Sequence, residues 1–385
     1  MASDGTFAHG ERTAAQIDSK MRSIHVFTSA ASNYLPKVRV LFESIRRFRP
    51  DWTLHLALAD SDAPEDALAA TGVDEIHRLP DLEIPQWRAW SFTHSLIELA
   101  TGIKPFALKK ILSRPDCEAA IYLDPDIAVF SGLDRLKEAF STADILLTPH
   151  LVAPETTQHG VIANEICTAQ FGIYNLGFIG VAATPEGRTF AEWWARRLYY
   201  FCREDIPSGL YTDQRWIDFV PSFFERVRIL RSPTLNVAPW NLSTRDVTGS
   251  LRTGFRVNGE PLDFYHFSAI DTLDDEGACG GQAAVAELVG WYRAQSTLTE
   301  ATAPQWGFDA FEDGESISRA QRLVYRLRGD LQRAFPDPFR AGPGSYQAWW
   351  RAEAPNEFAA LFASNSHDEE IARLSSALTT GYVDL

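Results

Sequence analysis

The sequence predicts an α/β fold with a mixed, mainly parallel sheet, helices on both of its faces and a helical C-terminal extension. From residue 24 to residue 181, short apolar runs alternate with helical patterns, which is typical of strands joined by helical crossovers. After Gly280 the pattern becomes helical. We therefore expect one large α/β domain at residues 21–280, a mainly helical extension at residues 281–385 and a disordered tail at residues 1–20.

The predicted elements alternate along the chain. An amphipathic helix at residues 38–48 follows the first strand. Strands are predicted at residues 24–28, 52–59, 73–79, 119–123, 144–148 and 173–181, and two further helices at residues 91–100 and 106–113. Residues 255–257 and 262–267 are predicted to pair as a hairpin, because Asn258-Gly259 supplies the positive φ angles of a type I′ turn. Residues 149–170 lack periodicity and are long for a connection, which indicates a functional segment such as a flexible lid.

Composition and charge restrict the classes of function. The chain has 385 residues, of which 45% are hydrophobic, so it can bury a full-sized core. Its formal net charge of −15 argues against a general nucleic-acid binder, because such a protein needs a basic face that replaces the counterions around phosphate. A small anionic ligand can still bind through a few local cations or a metal.

Cysteine spacing and hydropathy indicate the compartment. The four cysteines lie far apart, without the spacing of a zinc site or of a secreted disulfide framework. Residues 1–20 contain no apolar core of a signal peptide, and no stretch has the roughly 18 apolar residues of a membrane span. We expect a cytoplasmic protein that contacts a membrane, if at all, from its inner face.

Two carboxylates interrupt the strongly apolar run at residues 121–130. Buried strands do not tolerate unpaired carboxylates, so we expect Asp124 and Asp126 at the carboxyl edge of the sheet, where open α/β sheets bind ligands. Two hard oxygen ligands suit Mg²⁺ or Mn²⁺ bridging a diphosphate, and the alternative is a turn or a helix cap. A second Asp-x-Asp, at Asp60 and Asp62, runs into polar sequence and is interpreted as a solvated turn after a strand.

The run Tyr122-Leu123-Asp124-Pro125-Asp126 resembles the Asp-x-Asp motif of GT-A glycosyltransferases, particularly the family 8 enzymes that include bacterial lipooligosaccharide galactosyltransferases and glycogenins. Residues 27–34, which precede a predicted helix, are similar to the first strand and loop that hold the nucleotide base in that family. The resemblance implies that residues 21–280 form a GT-A catalytic domain. It also implies donor contacts by four side chains of this loop: Thr28, Ser29, Asn33 and Tyr34.

Two later segments fall in the family's order. Tyr174-Asn175-Leu176-Gly177 resembles the Asn-x-Gly strand that shapes the sugar and acceptor site, which implies roles there for Asn175 and Gly177. Thr212-Asp213-Gln214 resembles the segment beside the anomeric carbon, which implies that Asp213 and Gln214 are catalytic.

A third segment, Tyr265-His266, resembles the histidine that completes the family's metal site. The resemblance implies a Mn²⁺ or Mg²⁺ site at Asp124, Asp126 and His266, in which Asp124 also contacts the donor. Such a mixed nitrogen and oxygen set favours Mn²⁺. Two positions depart from the family's pattern, because a base-contacting aspartate is Ala31 here and the second aspartate of Asp-Gln-Asp is Arg215. They leave the donor base open and loosen the link to family 8.

The resemblance implies a metal-dependent hexosyltransferase that retains the anomeric configuration, in polysaccharide biosynthesis. The implied donor is a nucleotide-diphosphate sugar, a UDP-sugar as first choice, and the acceptor is a glycan, a lipid-linked molecule or a protein. A sugar-nucleotide nucleotidyltransferase is an alternative, although residues 28–35 contain none of the glycines that its first loop usually has. A non-catalytic glycan-binding scaffold is a further alternative.

Each candidate residue also has a structural alternative. Lys109, on a helix before the metal strand, either contacts a donor phosphate or is an exposed helix lysine. Asn175 can satisfy a buried backbone group, and His266 can be a core histidine bonded to a carbonyl. Asp213 can cap the helix that follows it. Tyr34 can stack on a base or anchor the start of a helix.

Residues 317–335 form a basic island in an acidic chain. Their apolar residues fall at helical spacing. The positions between them hold Arg319, Arg322, Arg326, Arg328 and Arg333. This pattern is typical of a helix that lies on an anionic membrane, near a lipid-linked acceptor. The alternative is a helix docked on the α/β domain, with its arginines paired to acidic residues.

Overall fold

The computed structural model describes residues 23–297, 306–363 and 366–380. The predicted disordered tail, residues 1–20, lies outside the described residues. The strands are β1 (Ser23–Ala30), β2 (Thr53–Leu58), β3 (Glu75–Arg78), β4 (Cys117–Leu123), β5 (Ile127–Val129), β6 (Ile145–Pro149), β7 (Tyr174–Ala182), β8 (Glu204–Asp205), β9 (Leu210–Tyr211), β10 (Val227–Ile229), β11 (Val247–Ser250), β12 (Gly254–Val257), β13 (Glu260–Pro261) and β14 (Phe264–His266). The α-helices are Leu35–Phe48, Glu65–Ala70, Trp87–Phe92, Leu96–Gly102, Lys104–Leu112, Asp134–Ala139, Gln158–Gly160, Cys167–Phe171, Pro185–Phe201, Gln214–Ile217, Val220–Phe223, Asp275–Cys279, Ala283–Ser296, Arg319–Leu327, Gly329–Ala334, Tyr346–Ala352, Ala354–Glu357, Ala359–Phe362 and His367–Thr380.

Within the described residues, seven strands form the central sheet in the order β10-β6-β7-β4-β1-β2-β3. β7 runs antiparallel to its neighbours β4 and β6, and the other neighbouring pairs are parallel. The predicted mixed, mainly parallel sheet is therefore confirmed. β4 lies next to β1 near the middle of the sheet, so the residues that follow these two strands emerge side by side at its carboxyl edge.

The two faces of the sheet pack against separate apolar cores, because side chains alternate along each strand. Along β4, Tyr122 packs into the core shared with the helices Lys104–Leu112 and Pro185–Phe201. Its neighbour Ile121 packs into the core shared with the helix Leu35–Phe48. Both faces of β4 are thus covered, so its sequence is almost continuously apolar, and polar side chains return where the strand ends.

The predicted hairpin at residues 255–267 is correct in its turn and wrong in its second strand. Asn258 and Gly259 have φ angles of 50° and 85°, and the turn joins β12 to β13. β14 pairs instead with β5, in antiparallel register with His266 opposite Ile127. Past β13, the N–H of Leu262 donates to the carbonyl of Phe255 at 3.0 Å. The chain then turns toward β5. Just after β5, the Ser131 hydroxyl donates to the buried Asp263 carboxylate at 2.5 Å.

The predicted helix at residues 91–100 is two helices, Trp87–Phe92 and Leu96–Gly102. Ser95 begins the second of them as its N-cap. Its hydroxyl accepts from the N–H of Glu98, and the Glu98 carboxylate accepts from the N–H of Ser95. This reciprocal capping fixes the start of a helix of its own.

The segment predicted as a lid is partly helical. Gln158–Gly160 and Cys167–Phe171 are α-helical, and Val161–Ile166 between them is π-helical. Gly160 packs closely on Glu155, because a Cβ at this position would lie 2.4 Å from Glu155 Oε2. The mobility of the segment stays a prediction.

The second Asp-x-Asp is not a solvated turn at its first residue, and that part of the prediction is wrong. Asp60 is only 3% exposed. The N–H groups of Ser32, Ser61 and Gly307 donate to its carboxylate, which offsets the loss of hydration. Asp62, by contrast, has an exposed side chain.

The described residues from Trp306 onward dock on the α/β domain. Along residues 317–335, the apolar residues Ile317, Val324 and Leu331 are buried in the core on the Tyr122 face of the sheet. Arg322 and Arg326 donate to backbone carbonyls of the α/β domain. The apolar face that a membrane-bound helix would offer is therefore used inside the protein, which supports the docked alternative. None of the described helices has the length and apolar character that crossing a membrane requires.

Candidate active site

Three candidate metal ligands meet at the carboxyl edge of the sheet. Asp124 and Asp126 lie in the turn between β4 and β5, and His266 lies on β14, which pairs with β5. His266 Nε2 lies 3.1 Å from Asp126 Oδ1 and 3.7 Å from Asp124 Oδ2. One potential ligand atom from each residue lies within 4.8 Å of the others. One imidazole nitrogen and two carboxylate oxygens this close together fit a Mn²⁺ or Mg²⁺ ion.

The position of His266 depends on a glycine in β7. A Cβ at Gly177 would lie 2.5 Å from His266 Cε1 and 2.6 Å from its Nδ1, so only a glycine leaves room for the ring. Trp240 packs edge-on against the imidazole, with the ring centroids 5.3 Å apart. His266 Nδ1 has no hydrogen-bond partner among the described residues, so the ring is not the carbonyl-bonded core histidine of the structural alternative. Its polar contacts are with the two carboxylates.

Opposite charges stabilise the pair formed by His266 and Asp126. Burial lowers the pKa of His266, but Asp126 and Asp124 outweigh burial and raise this pKa above its usual 6.5. Burial raises the pKa of Asp126, but His266 and Lys37 outweigh burial and lower it. The pair therefore favours a protonated imidazole, and a metal has to displace this proton.

Lys104 is a site residue that the sequence reasoning missed. Its Nζ is buried 3.4 Å from Asp124 Oδ1 and 3.2 Å from Asp213 Oδ2. Burial would lower the pKa of Lys104, but Asp124 and Asp213 raise it well above the usual value. Helical periodicity contains the signal, because Lys104 shares a face with the buried residues Leu108 and Ile111.

Lys109, the lysine predicted to contact a phosphate, lies outside the cavity. Its side chain is 40% exposed and pairs with Glu192 at 2.5 Å. Five residues along a helix correspond to roughly 140° of rotation, so Lys109 and Lys104 point to different sides. The structure thus corrects this assignment, and Lys104 is the lysine at the site.

Asp213 and Gln214 line the cavity near Lys104. Asp213 stands at the N-cap position of the helix Gln214–Ile217, but its side chain makes no cap bond. Burial raises the pKa of Asp213, Lys104 opposes the rise, and Asp124 adds to it. The amide of Gln214 is fixed at both ends, since it accepts from the N–H of Leu176 and donates to a backbone carbonyl. The Asp213 carboxylate is therefore held by the Lys104 ion pair and by the Thr212 hydroxyl, which donates to its Oδ1 at 3.2 Å, and not by helix capping.

Asn175 lines the cavity but its amide is engaged by the protein. Its Oδ1 accepts from the N–H of Gly177 at 3.0 Å and from Asn236 Nδ2 at 2.9 Å. Its Nδ2 lies 3.1 Å from His150 Nε2. Burial lowers the pKa of His150 to about 4, so its ring is neutral and accepts this bond. Asn175 thus holds the wall together, and sequence reasoning missed its partners His150 and Asn236.

The loop after β1 forms another wall of the cavity. Of the four side chains predicted to contact the donor, Ser29, Asn33 and Tyr34 line the cavity and Thr28 does not. Thr28 is fully buried, because alternation along β1 turns it to the face opposite Ser29. Tyr34 is 37% exposed, and Lys37 Nζ lies 4.6 Å from its ring centroid. Ala31, which departs from the family's pattern, also lines this wall.

These walls enclose an open cavity of about 680 Å³. Residues of the helix Leu96–Gly102 and of the partly helical segment at 163–171 complete its rim. A cavity of this volume is typical of a small-molecule site. The candidate metal ligands, Lys104 and Asp213 all line the same space, so one bound molecule can meet this cluster and the buried ion pair together.

A second group of potential metal ligands, His55, Glu75 and His77, has a different character. His25 Nδ1 and His55 Nε2 are 2.8 Å apart, and His55 Nδ1 and His77 Nε2 are 3.1 Å apart, so the rings are hydrogen-bonded in a row across β1, β2 and β3. Arg114 donates to the Glu75 carboxylate at 2.8 Å. These groups satisfy one another without an ion, and we assign them a structural role.

The chain is similar to bacterial proteins and to solved glycosyltransferases. It is 27% identical to the uncharacterized protein YfnF of Bacillus subtilis (strain 168) over 252 residues, which are 63% of this chain and 81% of YfnF. It shares 18% identity with the galactosyltransferase LgtC in complex with donor and acceptor sugar analogs, over 72% of this chain and 98% of LgtC, with a TM-score of 0.41. Mouse xyloside xylosyltransferase 1, in its apo form, gives 14% identity over 66% of this chain and 99% of that protein, with a TM-score of 0.38.

No model of a known protein family matches the chain. Both of these solved structures are of glycosyltransferases. At these identities and TM-scores, the activity has to be argued from the residues of the cavity.

Replacing Gly177 by alanine tests whether His266 belongs to the metal site. Because the new Cβ would overlap the imidazole, we expect Gly177→Ala to weaken Mn²⁺ binding by roughly tenfold or more, as the loss of a ligand-orienting contact does. Calorimetric titration of the metal measures this. Gly180→Ala on the same strand is the matched control, since its Cβ would meet Phe140 and Leu146 in the core instead. Equal Mn²⁺ affinity in both variants would remove His266 from the site.

The pH dependence of Mn²⁺ binding provides a second test. With a folded pKa raised above 6.5, the protonated His266 stabilises the metal-free fold below pH 6.5, and this contribution is lost as the pH rises through the raised value. A metal requires the unprotonated ring, so its affinity has the opposite dependence. We expect the affinity to rise about tenfold per pH unit until the raised pKa is passed, and then to level off. A flat profile for the unmodified protein, or an unchanged profile for His266→Gln, would contradict the assignment.

Proposed function

We propose that this protein is a metal-dependent glycosyltransferase that moves a hexosyl group from a nucleotide-diphosphate sugar, a UDP-sugar as first choice, to an acceptor. One observation carries the proposal: the cluster of Asp124, Asp126 and His266 shares one cavity with the buried pair of Lys104 and Asp213. Hard oxygen ligands of this kind bind a divalent ion together with phosphate groups. We assign catalysis to residues 21–280 and a supporting role to residues 281–385.

The donor's diphosphate would lie at the metal cluster. Asp124, Asp126 and His266 would hold Mn²⁺ or Mg²⁺, which supplies a Lewis acid for the negative charge of the leaving group. Lys104 adds a positive charge that is fixed by its two carboxylates, so it is already in place when the phosphate arrives. The exposed ring of Tyr34 offers a face on which the base can stack.

The sugar would lie against Asp213 and Gln214. As the bond to the leaving group lengthens, the sugar gains oxocarbenium character, and a nearby carboxylate stabilises that positive charge. Asp213 is buried, which strengthens this interaction, and the ion pair with Lys104 holds the carboxylate in position. The fixed amide of Gln214 offers a dipole beside it. We propose retention of configuration, because Thr212-Asp213-Gln214 resembles the segment beside the anomeric carbon in the family 8 enzymes.

The acceptor would enter over the wall that contains Asn175 and Gly177. A glycan, a lipid-linked molecule or a protein can supply its hydroxyl there, as in polysaccharide biosynthesis in the cytoplasm. For a lipid-linked acceptor, the exposed Arg319 and Arg333 within residues 317–335 would face an anionic membrane surface, because the apolar side of that segment is buried.

The decisive experiment offers nucleotide-diphosphate sugars to the full chain with and without Mn²⁺. We expect release of nucleoside diphosphate that requires the ion. Asp126→Asn should lower turnover and Mn²⁺ affinity by roughly 100-fold or more, because a metal ligand is lost. Asp62→Asn, in the other Asp-x-Asp, is the control and should change neither. Release of pyrophosphate from a nucleoside triphosphate and a sugar 1-phosphate would instead identify a nucleotidyltransferase, and transfer without a divalent ion would refute the metal assignment.

Asp213→Asn separates chemistry from donor binding. A group aimed at charge that develops in the transition state changes kcat, whereas uniform binding changes KM. We expect kcat to fall roughly 100-fold or more while the affinity for nucleoside diphosphate with Mn²⁺ is kept. Asp218→Asn, a few residues later and outside the cavity lining, should leave kcat unchanged. A normal kcat for Asp213→Asn, or an inverted product by NMR, would overturn this role.

A further inference from the structure

Asp60 is a buried carboxylate that belongs neither to the cavity lining nor to the metal cluster. It follows β2 at the carboxyl edge of the sheet. Its Oδ2 accepts from the N–H of Ser32 at 3.1 Å and from the Ser32 hydroxyl at 2.6 Å. Its Oδ1 accepts from the N–H groups of Ser61 and Gly307, both at 2.8 Å. A buried charge with four donors fixes all of these groups relative to one another.

The groups joined by Asp60 come from distant parts of the chain. Ser32 lies between Ala31 and Asn33, which both line the cavity. Gly307 belongs to residues 306–317, which we call the C-terminal arm and which lead into the helix Arg319–Leu327. One carboxylate thus connects the loop after β1 to the C-terminal extension.

The arm approaches β2 too closely for any residue other than glycine. A Cβ at Gly307 would lie 1.7 Å from Ser61 Oγ and 2.9 Å from Asp60 Oδ1. Beside it, the indole N–H of Trp306 donates to the carbonyl of Ala59 at 2.9 Å. The contact is therefore made by backbone and indole groups at a fixed distance from the sheet.

A second contact joins the extension to another wall of the cavity. The buried Arg322 donates to the carbonyl of Phe308 in the arm at 2.6 Å and to the carbonyl of His94 at 3.1 Å. His94 lies just before the helix Leu96–Gly102, whose residues Leu96, Ile97, Ala100 and Thr101 line the cavity. The extension is thus hydrogen-bonded to the segments that carry two walls of the cavity.

We propose that the C-terminal extension sets the affinity for the nucleotide part of the donor by holding these two walls, with Asp60 as the positioning residue. The proposal rests on the function proposed above, because it requires the nucleotide to lie against the loop after β1. A loop that is held before the ligand arrives loses less conformational freedom on binding. Releasing the arm therefore weakens nucleotide binding and leaves the metal ligands and Asp213 in place.

Gly307→Ala in the full chain tests the proposal without altering a cavity residue. We expect the Kd of nucleoside diphosphate with Mn²⁺ to rise roughly tenfold, while kcat at saturating donor changes less than about twofold. The affinity for Mn²⁺ alone should stay the same. Gly290→Ala is the matched control, because a Cβ there meets open space on a helix, and it should leave all three values unchanged. Trp306→Phe, which removes only one hydrogen bond, should give a smaller rise in Kd.

Amide hydrogen exchange in the ligand-free protein provides a readout that does not depend on the proposed function. Exchange at Ser32 and Asn33 should be faster in Gly307→Ala than in the unmodified chain or in Gly290→Ala. Adding Ser61→Gly to Gly307→Ala removes two of the three nearest side-chain atoms and should restore part of the protection and of the affinity.

The outcomes separate the two proposals. If the unmodified protein binds no nucleoside diphosphate, the proposed function and the role in affinity fall together, and exchange still shows whether the arm holds the loop. If the unmodified protein binds and the arm variants bind equally well with unchanged exchange, the proposal for the extension is wrong and the proposed function stands. A parallel loss of Mn²⁺ affinity in Gly307→Ala and Trp306→Phe would show general damage and would also overturn it.

Discussion

Three carboxylates line one cavity, and the site depends on the cations that hold them together. In surroundings of low dielectric constant, Asp124, Asp126 and Asp213 would repel one another strongly. Lys104 lies between Asp124 and Asp213, and His266 lies against Asp126 and Asp124. Lys104 belongs to the helix before β4. His266 belongs to β14, which pairs with β5, the strand after Asp124 and Asp126. The charged groups therefore keep their partners only while these two elements are packed in place. A buried charge that loses its partner is costly.

The cavity divides into a charged part and a neutral part. His150 and His266 are both buried in its lining, yet their pKa values move in opposite directions. At His150, which faces amides and carbonyls, burial affects the pKa more than the hydrogen bonds do. At His266, the carboxylates affect the pKa more than burial does. The pKa values of two groups of the same type thus shift in opposite directions because of their neighbours. The charged side chains of the cavity lie at the candidate metal ligands and at Lys104 and Asp213, and the amide network around Asn175 adds no net charge.

The sequence predicts those parts of this arrangement that depend on local order. The end of an apolar strand locates Asp124 and Asp126, and Asn258-Gly259 locates a turn. Contacts between distant segments are different. Nothing within β14 specifies that it pairs with β5 rather than with β12, because the choice depends on tertiary contacts such as those of Asp263. The burial of Asp60 likewise depends on Gly307, 247 residues away.

The difference between Lys104 and Lys109, by contrast, can be predicted from the local sequence. Both lie on the helix Lys104–Leu112, and its apolar periodicity already separates an inward from an outward lysine. The helical face decides which of the two lysines is buried. A polar residue on an apolar face is the more informative observation.

The π-helical stretch Val161–Ile166 interrupts a helical run that extends from Gln158 to Phe171. A π turn accommodates one residue more than an α turn, and each added residue rotates everything after it by about 100° around the helix axis. Ala163 lines the cavity within this stretch, and Cys167 and Phe171 line it afterwards. A single-codon insertion or deletion here would therefore present different side chains at the rim while the strands around the candidate metal ligands keep their register. Related chains can diverge in what they accept by this route, at little risk to the sheet.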